Sequence, residues 1–293
     1  MSKLFFSKMN INDEIYQVYD GTANINDLLN EIYSGINNRE AIYDDKGGRY
    51  KLFDLDKLEN NIIHGRLGYI KSGVHSSYNP DTDTAIDIED KNKIEYVTFY
   101  FDVYNEMLAY TVLPIMRKER ILTIFEDLIK QSTDIGVKFI IETDMRSLNN
   151  KLSKFEIIKK VVLNLVPPNG DKNEFASLFS VNADKVADAE ATSIKQQYST
   201  RSSEGLNKDS SLIKDAKDGI ALGYANGIFL GADAHGEKLE VNTISNTPYT
   251  KNIPNRENKS KSSIAEKARA GISALLFLKA EIRERNRDGE SRE

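Results

Sequence analysis

The chain has 293 residues, 40% of them hydrophobic, with a formal net charge of -5 and no cysteine. That length buries a sizeable core and predicts two subdomains. The missing cysteine excludes disulfide frameworks, thiolate metal sites and cysteine nucleophiles, and it fits a reducing, cytoplasmic compartment.

At the N-terminus the apolar patch Leu4, Phe5 and Phe6 ends in charge too soon for a signal-peptide core. The longest apolar run elsewhere, residues 272–278, is far short of the roughly twenty residues a membrane span needs, so no membrane insertion is expected. Ile15, Val18 and Tyr19 read as a strand, and Leu28, Leu29, Ile32 and Tyr33 as a short helix capped near Asn26 and Asp27. After the Gly47-Gly48 turn, residues 50–55 and 64–70 read as strands, whereas the Asn, Asp, Pro and Ser content of residues 76–90 reads as a long exposed loop.

In the middle of the chain, Val97, Phe99, Phe101 and Val103 alternate with Tyr96, Thr98, Tyr100 and Asp102, the pattern of a strand with one buried face. A turn at Asn105-Glu106 leads into a second strand over 107–113. Residues 118–131 then carry Ile121, Leu122, Phe125, Leu128 and Ile129 on one helical stripe. Strands over 137–143 and 155–166 follow, the latter stopped by Pro167-Pro168. This β-β-α-β-β order predicts an α+β fold, an antiparallel sheet with a helix on one face. Residues 175–179 and 212–224 read as helices, and periodicity does not decide between helix and strand over 191–198. Residues 228–234 and 239–243 read as a hairpin turned at His235-Gly236, and 264–282 as a closing amphipathic helix facing a core or a partner. The expected division is an N-terminal α+β unit over 1–90, a central and C-terminal unit over 91–253, and a basic helix and tail over 254–293.

Few side chains stand at spacings that imply chemistry. His64, His75 and His235 are too scattered for a metal pair. The acidic run from Asp81 to Asp87 lacks the glycine of a calcium loop, and Gly223, Gly227, Gly231 and Gly236 lack the order of a dinucleotide fingerprint, reading instead as a helix C-cap at Gly227 and turn glycines. No serine elbow or phosphate-loop lysine is present. Glu142 and Asp144 are the nearest approach to a metal-dependent nuclease pair, without a lysine at the matching place. The reading is therefore non-enzymatic, with no cofactor. Basic residues group at Arg117, Lys118 and Arg120, at Lys159 and Lys160, and at Lys259, Lys261, Lys267 and Arg269, with Tyr96 and Tyr100 as stacking partners. Such groups on rigid elements suit phosphate contact, and equally suit a solvated surface.

The run YVTFYFDVYNEMLAYTVLPIMRKERILTIFEDLI, the later KKVVLNLVPP and the Tyr78-Asn79-Pro80 triplet resemble the RexA phage-exclusion family, over roughly residues 69–252. The resemblance implies an antiviral-defence protein that binds DNA as a dimer and acts through a partner. The expected function is thus a nucleic-acid-binding (DNA or RNA) or partner-binding component of phage exclusion, homo-oligomeric through an amphipathic helix such as 264–282. The alternatives are an interaction subunit controlling a separate protein effector, and a divergent nuclease using Glu142 or Asp144.

Overall fold

The structure is a computed structural model that describes residues 1–170 and 172–290, the side chains of 288–290 aside. Its elements are β1 (Ser2–Ile11), α1 (Ile15–Tyr19), α2 (Ile25–Gly35), β2 (Ala41–Tyr43), β3 (Arg49–Leu58), β4 (Ile62–Asn79), β5 (Thr84–Asp102), β6 (Met107–Tyr110), α3 (Lys118–Thr133), β7 (Val137–Ile141), α4 (Met145–Leu152) and β8 (Ile157–Leu165). They continue as α5 (Lys172–Phe179), α6 (Ala183–Asp188), β9 (Ile194–Ser199), α7 (Ser211–Leu222), β10 (Ala225–Ala232), β11 (Lys238–Asn242), α8 (Thr243–Asn246), β12 (Thr250–Ile253) and α9 (Lys261–Glu290). The class is α+β, as the sequence predicts, and among the described residues the strands form two antiparallel sheets.

The larger sheet runs β12-β1-β6-β5-β4-β3-β2, with β7 also pairing β1. β1 organises it: residues 5–8 pair β6 along one edge, while residues 2–5 pair β12 and residues 7–11 pair β7 along the other. Because side chains alternate along a strand, the odd positions Phe5, Met9 and Ile11 enter the core beneath α2 and α3. The even positions Leu4 and Phe6 pack under α9. Lys8 and Asn10 continue that even row, both buried. The expected helical stripe of α3 is fully buried, with Phe125 edge-on to Phe99 at 5.0 Å. On the other face Ile264, Ala268, Ile272 and Leu275 of α9 cover Leu4, Phe6, Tyr100, Met107 and Ala109. At Gly271 the helix comes so near β1 that a Cβ would stand 2.3 Å from the Phe6 ring.

The smaller sheet, β11-β10-β8-β9, packs α5 and α7 around Phe175, Phe179, Ile220, Phe229 and Ile282.

Several expectations are corrected. Residues 15–19 are helical, and the consecutive residues Ile15 and Tyr16 both enter the core, which an alternating strand would not allow. Residues 76–90 are no loop: β4 and β5 stay paired to Asn79 opposite Thr84, and the Asn-Pro-Asp signal marks only the tip, where the Asn79 side chain accepts from the Asp81 N–H. The strand over 97–102 is buried on both faces, α3 lying on one and α9 on the other. β8 lies in the second sheet, separated from β7 by α4, whose N-cap Asp144 accepts from the Ser147 N–H at 3.0 Å. Residues 194–199 form a strand. The C-cap of α7 is Gly223, at a left-handed φ of 81°, and Gly227 sits within β10. β5 runs without a break through residue 90, so the division expected there falls inside a strand. The apolar stripe of α9 lies against its own chain, which removes it as the expected dimer face. The tail residues 291–293 lie outside the described residues.

Candidate nucleic-acid interface and a buried ionic cluster

The basic residues singled out by sequence fall in three separate places. Arg117, Lys118 and Arg120 open α3 on one side of the large sheet, where Lys118 lies over the Phe5 ring and Arg120 over the Tyr50 ring. Lys159 and Lys160 are on β8 in the other sheet, and Lys159 donates to the Ser202 and Ser203 carbonyls. Lys259 lies in the turn just before α9, and Lys261, Lys267 and Arg269 belong to the start of that helix, on the sheet face opposite α3. Two of these are committed locally: Lys261 donates to the Asp54 carbonyl and pairs with Asp56, and Lys267 lies 3.6 Å from Glu266. Tyr100 is sealed beneath α9, where Arg269 bonds its hydroxyl and burial raises its pKa. It offers no ring face to an outside base.

Tyr96 differs. It stands on β5 just beyond the cover of α9, on a stretch of sheet whose cross-strand rows are Arg49–Ile70–Ile94, Lys51–Gly68–Tyr96 and Phe53–Arg66–Thr98. Gly68 has no side chain between its neighbours. A Cβ there would lie 2.7 Å from both Phe53 and Ile94, so these two close over the glycine as an apolar floor. Tyr96 meets Phe53 edge-on at 5.7 Å, with the Arg66 guanidinium 4.6 Å and the Lys259 ammonium 4.7 Å from its ring centroid. Arg49 and Lys259 are exposed, Lys51 and Arg66 half-buried, and Asp54 pairs with Arg66 at 2.6 Å. The result is an aromatic platform on a sheet, rimmed by four cations drawn from three segments. Sequence reasoning found Tyr96 and Lys259 but missed Arg49, Lys51, Phe53 and Arg66, whose shared face depends on strand register.

A second concentration of charge lies indoors, between the two sheets and the far half of α9. Lys8 pairs with Glu106, and Lys279 lies 2.8 Å from Glu142, the side chains of this second pair being 4% and 1% exposed. Arg283 donates to Glu174 at 2.8 Å and to the Tyr224 hydroxyl at 2.7 Å. Asn169 ties the group to β1, donating to Glu106 at 2.6 Å and to the Met9 carbonyl while accepting the Ile11 N–H. Gly223 makes the convergence possible. Its absent side chain would meet Lys8, Glu142 and Lys279 at 2.9–3.0 Å. A cavity of about 310 Å³ opens against Lys8, Glu106, Tyr224, Lys279 and Arg283. Burial pushes the Lys279 ammonium down to about 8, helped by Lys8 and Arg283 and opposed by Glu142. Tyr224 is driven well up, also by burial.

Glu142 and Asp144, the pair weighed for metal chemistry, have separate structural roles, one facing Lys279 and the other capping α4. Among the described residues no group of three or more His, Asp or Glu could hold a metal, and no helix is long and apolar enough to cross a membrane. Comparison with curated proteins gives no match. The profile described as a domain of unknown function, DUF4747, matches residues 48–269. That span takes in the aromatic platform, Glu142 and most of both sheets, and the chain belongs to the DUF4747 family.

Proposed function

We propose that this protein is a nucleic-acid-binding component of a phage-exclusion type of antiviral defence, and that it holds single-stranded nucleic acid on the open face of β3, β4 and β5. The observation that carries the reading is Tyr96, a half-exposed ring on a rigid strand with the Arg66 and Lys259 cations over it. A base that stacks on such a ring exchanges places with a cation over it, and the displaced cation is left beside the base's phosphate. A sheet surface suits unpaired bases, which splay onto a platform as duplex bases do not. The defence context rests on the RexA-like pattern, which overlaps the matched family region.

The test is fluorescence anisotropy with labelled single-stranded DNA and RNA, in steps from about 50 to 200 mM salt. Affinity should fall steeply along the series. Arg66→Glu with Lys259→Glu should weaken binding on all sequences alike and flatten the salt slope by about 2. The same double variant should lose any protection against phage plating that the wild-type chain confers on a bacterial host. Wild-type affinity and slope in the double variant would remove the platform as the binding face.

A further inference from the structure

The face that carries Tyr96 extends across the strands to β2. There Tyr43 pairs opposite Arg49 and Ala41 opposite Lys51, so two rows of the sheet lengthen to Tyr43–Arg49–Ile70–Ile94 and Ala41–Lys51–Gly68–Tyr96. Residues paired across strands share a face, and Tyr43 therefore stands on the same side as Tyr96. The row between them, Ile42–Tyr50–Tyr69, turns to the α3 side, where Tyr50 and Tyr69 stack at 4.7 Å. Tyr43 is 70% exposed and Ile94, beside Tyr96, is 39% exposed. Three strand spacings and one two-residue step separate the two tyrosines, about 16 Å at standard sheet dimensions.

We infer that Tyr43 is a second base-stacking subsite, reached by one unpaired strand that crosses β5, β4, β3 and β2 in turn, an inference that rests on the single-strand reading of Tyr96. Stacked neighbours in a strand stand about 3.4 Å apart, so adjacent bases cannot serve both rings. The strand is opened out instead, with at least one nucleotide lying over Ile94 and Ile70 between the rings. Arg49, directly opposite Tyr43, and Lys51, on the same strand, supply cations for its phosphates. The ligand class is thus an unpaired strand of three or more nucleotides, whose bases splay as those of a duplex do not.

Charge and cover favour this direction over the others. Toward Thr98 the face passes beneath α9, with Thr98 and Tyr100 buried. The opposite way, β3 pairs β4 only as far as Ile70, and residues 71–79 and 84–93 continue alone as a two-stranded ribbon. Its first row, Lys71–Lys93, alternates to the other face. Lys91 follows at the irregularity in pairing, and then come Asp90, Glu89 and Asp87, so a phosphate path along the ribbon runs from cations into carboxylates. The two rows that lead to β2 hold no acid. Asp44, next to Tyr43, is committed to the Lys46 and Gly48 amides and the Tyr69 hydroxyl. Past Tyr43 the charges alternate, Arg39 with Glu40 before β2 and Asp45 with Lys46 after it, and the cationic path ends.

The experiment is competition anisotropy at about 50 mM salt with a dinucleotide and an octanucleotide, circular dichroism verifying the fold of each variant. An octanucleotide that holds Tyr96 presents its later bases to Tyr43 at high effective concentration, whereas a dinucleotide cannot bridge the rings. Tyr43→Ala should weaken octanucleotide binding about tenfold or more, the scale of one lost base stack, and leave the dinucleotide within about twofold of wild type. Tyr43→Phe keeps the ring and should bind both as wild type does. Unchanged octanucleotide affinity in Tyr43→Ala, an equal loss for both ligands, or a Tyr43→Phe variant as weak as Tyr43→Ala would each overturn the second subsite and leave Tyr96 standing. A wild type that binds neither oligonucleotide would remove the single-strand reading of Tyr96, and this subsite with it.

Discussion

The ionic cluster between the sheets and the open face around Tyr96 hold similar residues under opposite conditions. In the cluster, Lys8 and Lys279 face Glu106 and Glu142 with little exposure to bulk water, while the Arg283–Glu174 pair stands at its rim, 37% and 22% exposed. On the open face Arg66 and Lys259 stand over a tyrosine at the edge of solvent, with Asp54 as partner to Arg66 alone. Basic residues therefore do not by themselves mark a recognition surface. A buried cation already answered by a carboxylate stabilises the chain's own architecture, and a solvated cation beside an aromatic ring remains open to a phosphate.

The sharpest way to break this comparison is to remove one member of the buried Lys279–Glu142 pair. Lys279→Met leaves Glu142 without its cation in the interior and should cost about 3–5 kcal/mol in urea unfolding. Adding Glu142→Leu removes the stranded carboxylate, and the double variant should return to within about 2 kcal/mol of wild type or exceed it. A single variant as stable as wild type would mean that water reaches the pair and that the cluster is not an interior feature.

The pH dependence of the same pair gives the next largest effect. Burial lowers the folded Lys279 pKa from 10.5 to about 8. A base held below its unfolded value binds fewer protons folded than unfolded between those two values, so unfolding becomes harder as pH rises through that window. The penalty for keeping the ammonium charged is fully present below about 8 and is relieved toward 10.5. Relative to the Glu142→Leu, Lys279→Met double variant, wild type should gain stability across it, by less than the full shift because the neutralised lysine leaves Glu142 unanswered. A difference curve that stays flat with pH would place the Lys279 titration outside the window.

Little of this contrast is legible in the sequence, although much of the secondary structure is. The stripes of α3 and α9 and the β10–β11 hairpin follow directly from apolar spacing, because each depends on neighbours a few residues away. The cluster draws Lys8 from the first strand, Glu142 from the end of β7 and Lys279 from the last helix. No local pattern links residues so far apart, and Lys279 reads simply as one more charge in a basic tail. At the open face Tyr96 is visible as a strand residue, but its companions depend on register. A slip of one residue between β4 and β5 would turn Arg66 to the opposite side. The ribbon was hidden for another reason: its Asn, Asp and Ser content is that of a loop, and only the continued pairing of residues 73–79 shows otherwise.

The smallest expected effect lies on the open face, and its smallness is what the comparison requires. Arg66→Ala removes a guanidinium that pairs with Asp54 at 2.6 Å, the two side chains being 27% and 48% exposed. Pairs so open to water contribute about 0–1 kcal/mol, because solvent screens the attraction and ordering two long side chains offsets it. The stacking of Arg66 on Tyr96 adds roughly 0.5–1 kcal/mol at such a site. Urea unfolding of Arg66→Ala should therefore stay within about 2 kcal/mol of wild type, while its anisotropy titration with single-stranded nucleic acid weakens. A loss of stability as large as that of Lys279→Met would make Arg66 a structural member of the sheet. The cations around Tyr96 would then be tied to the fold as firmly as those in the interior, and the distinction between the two regions would fail.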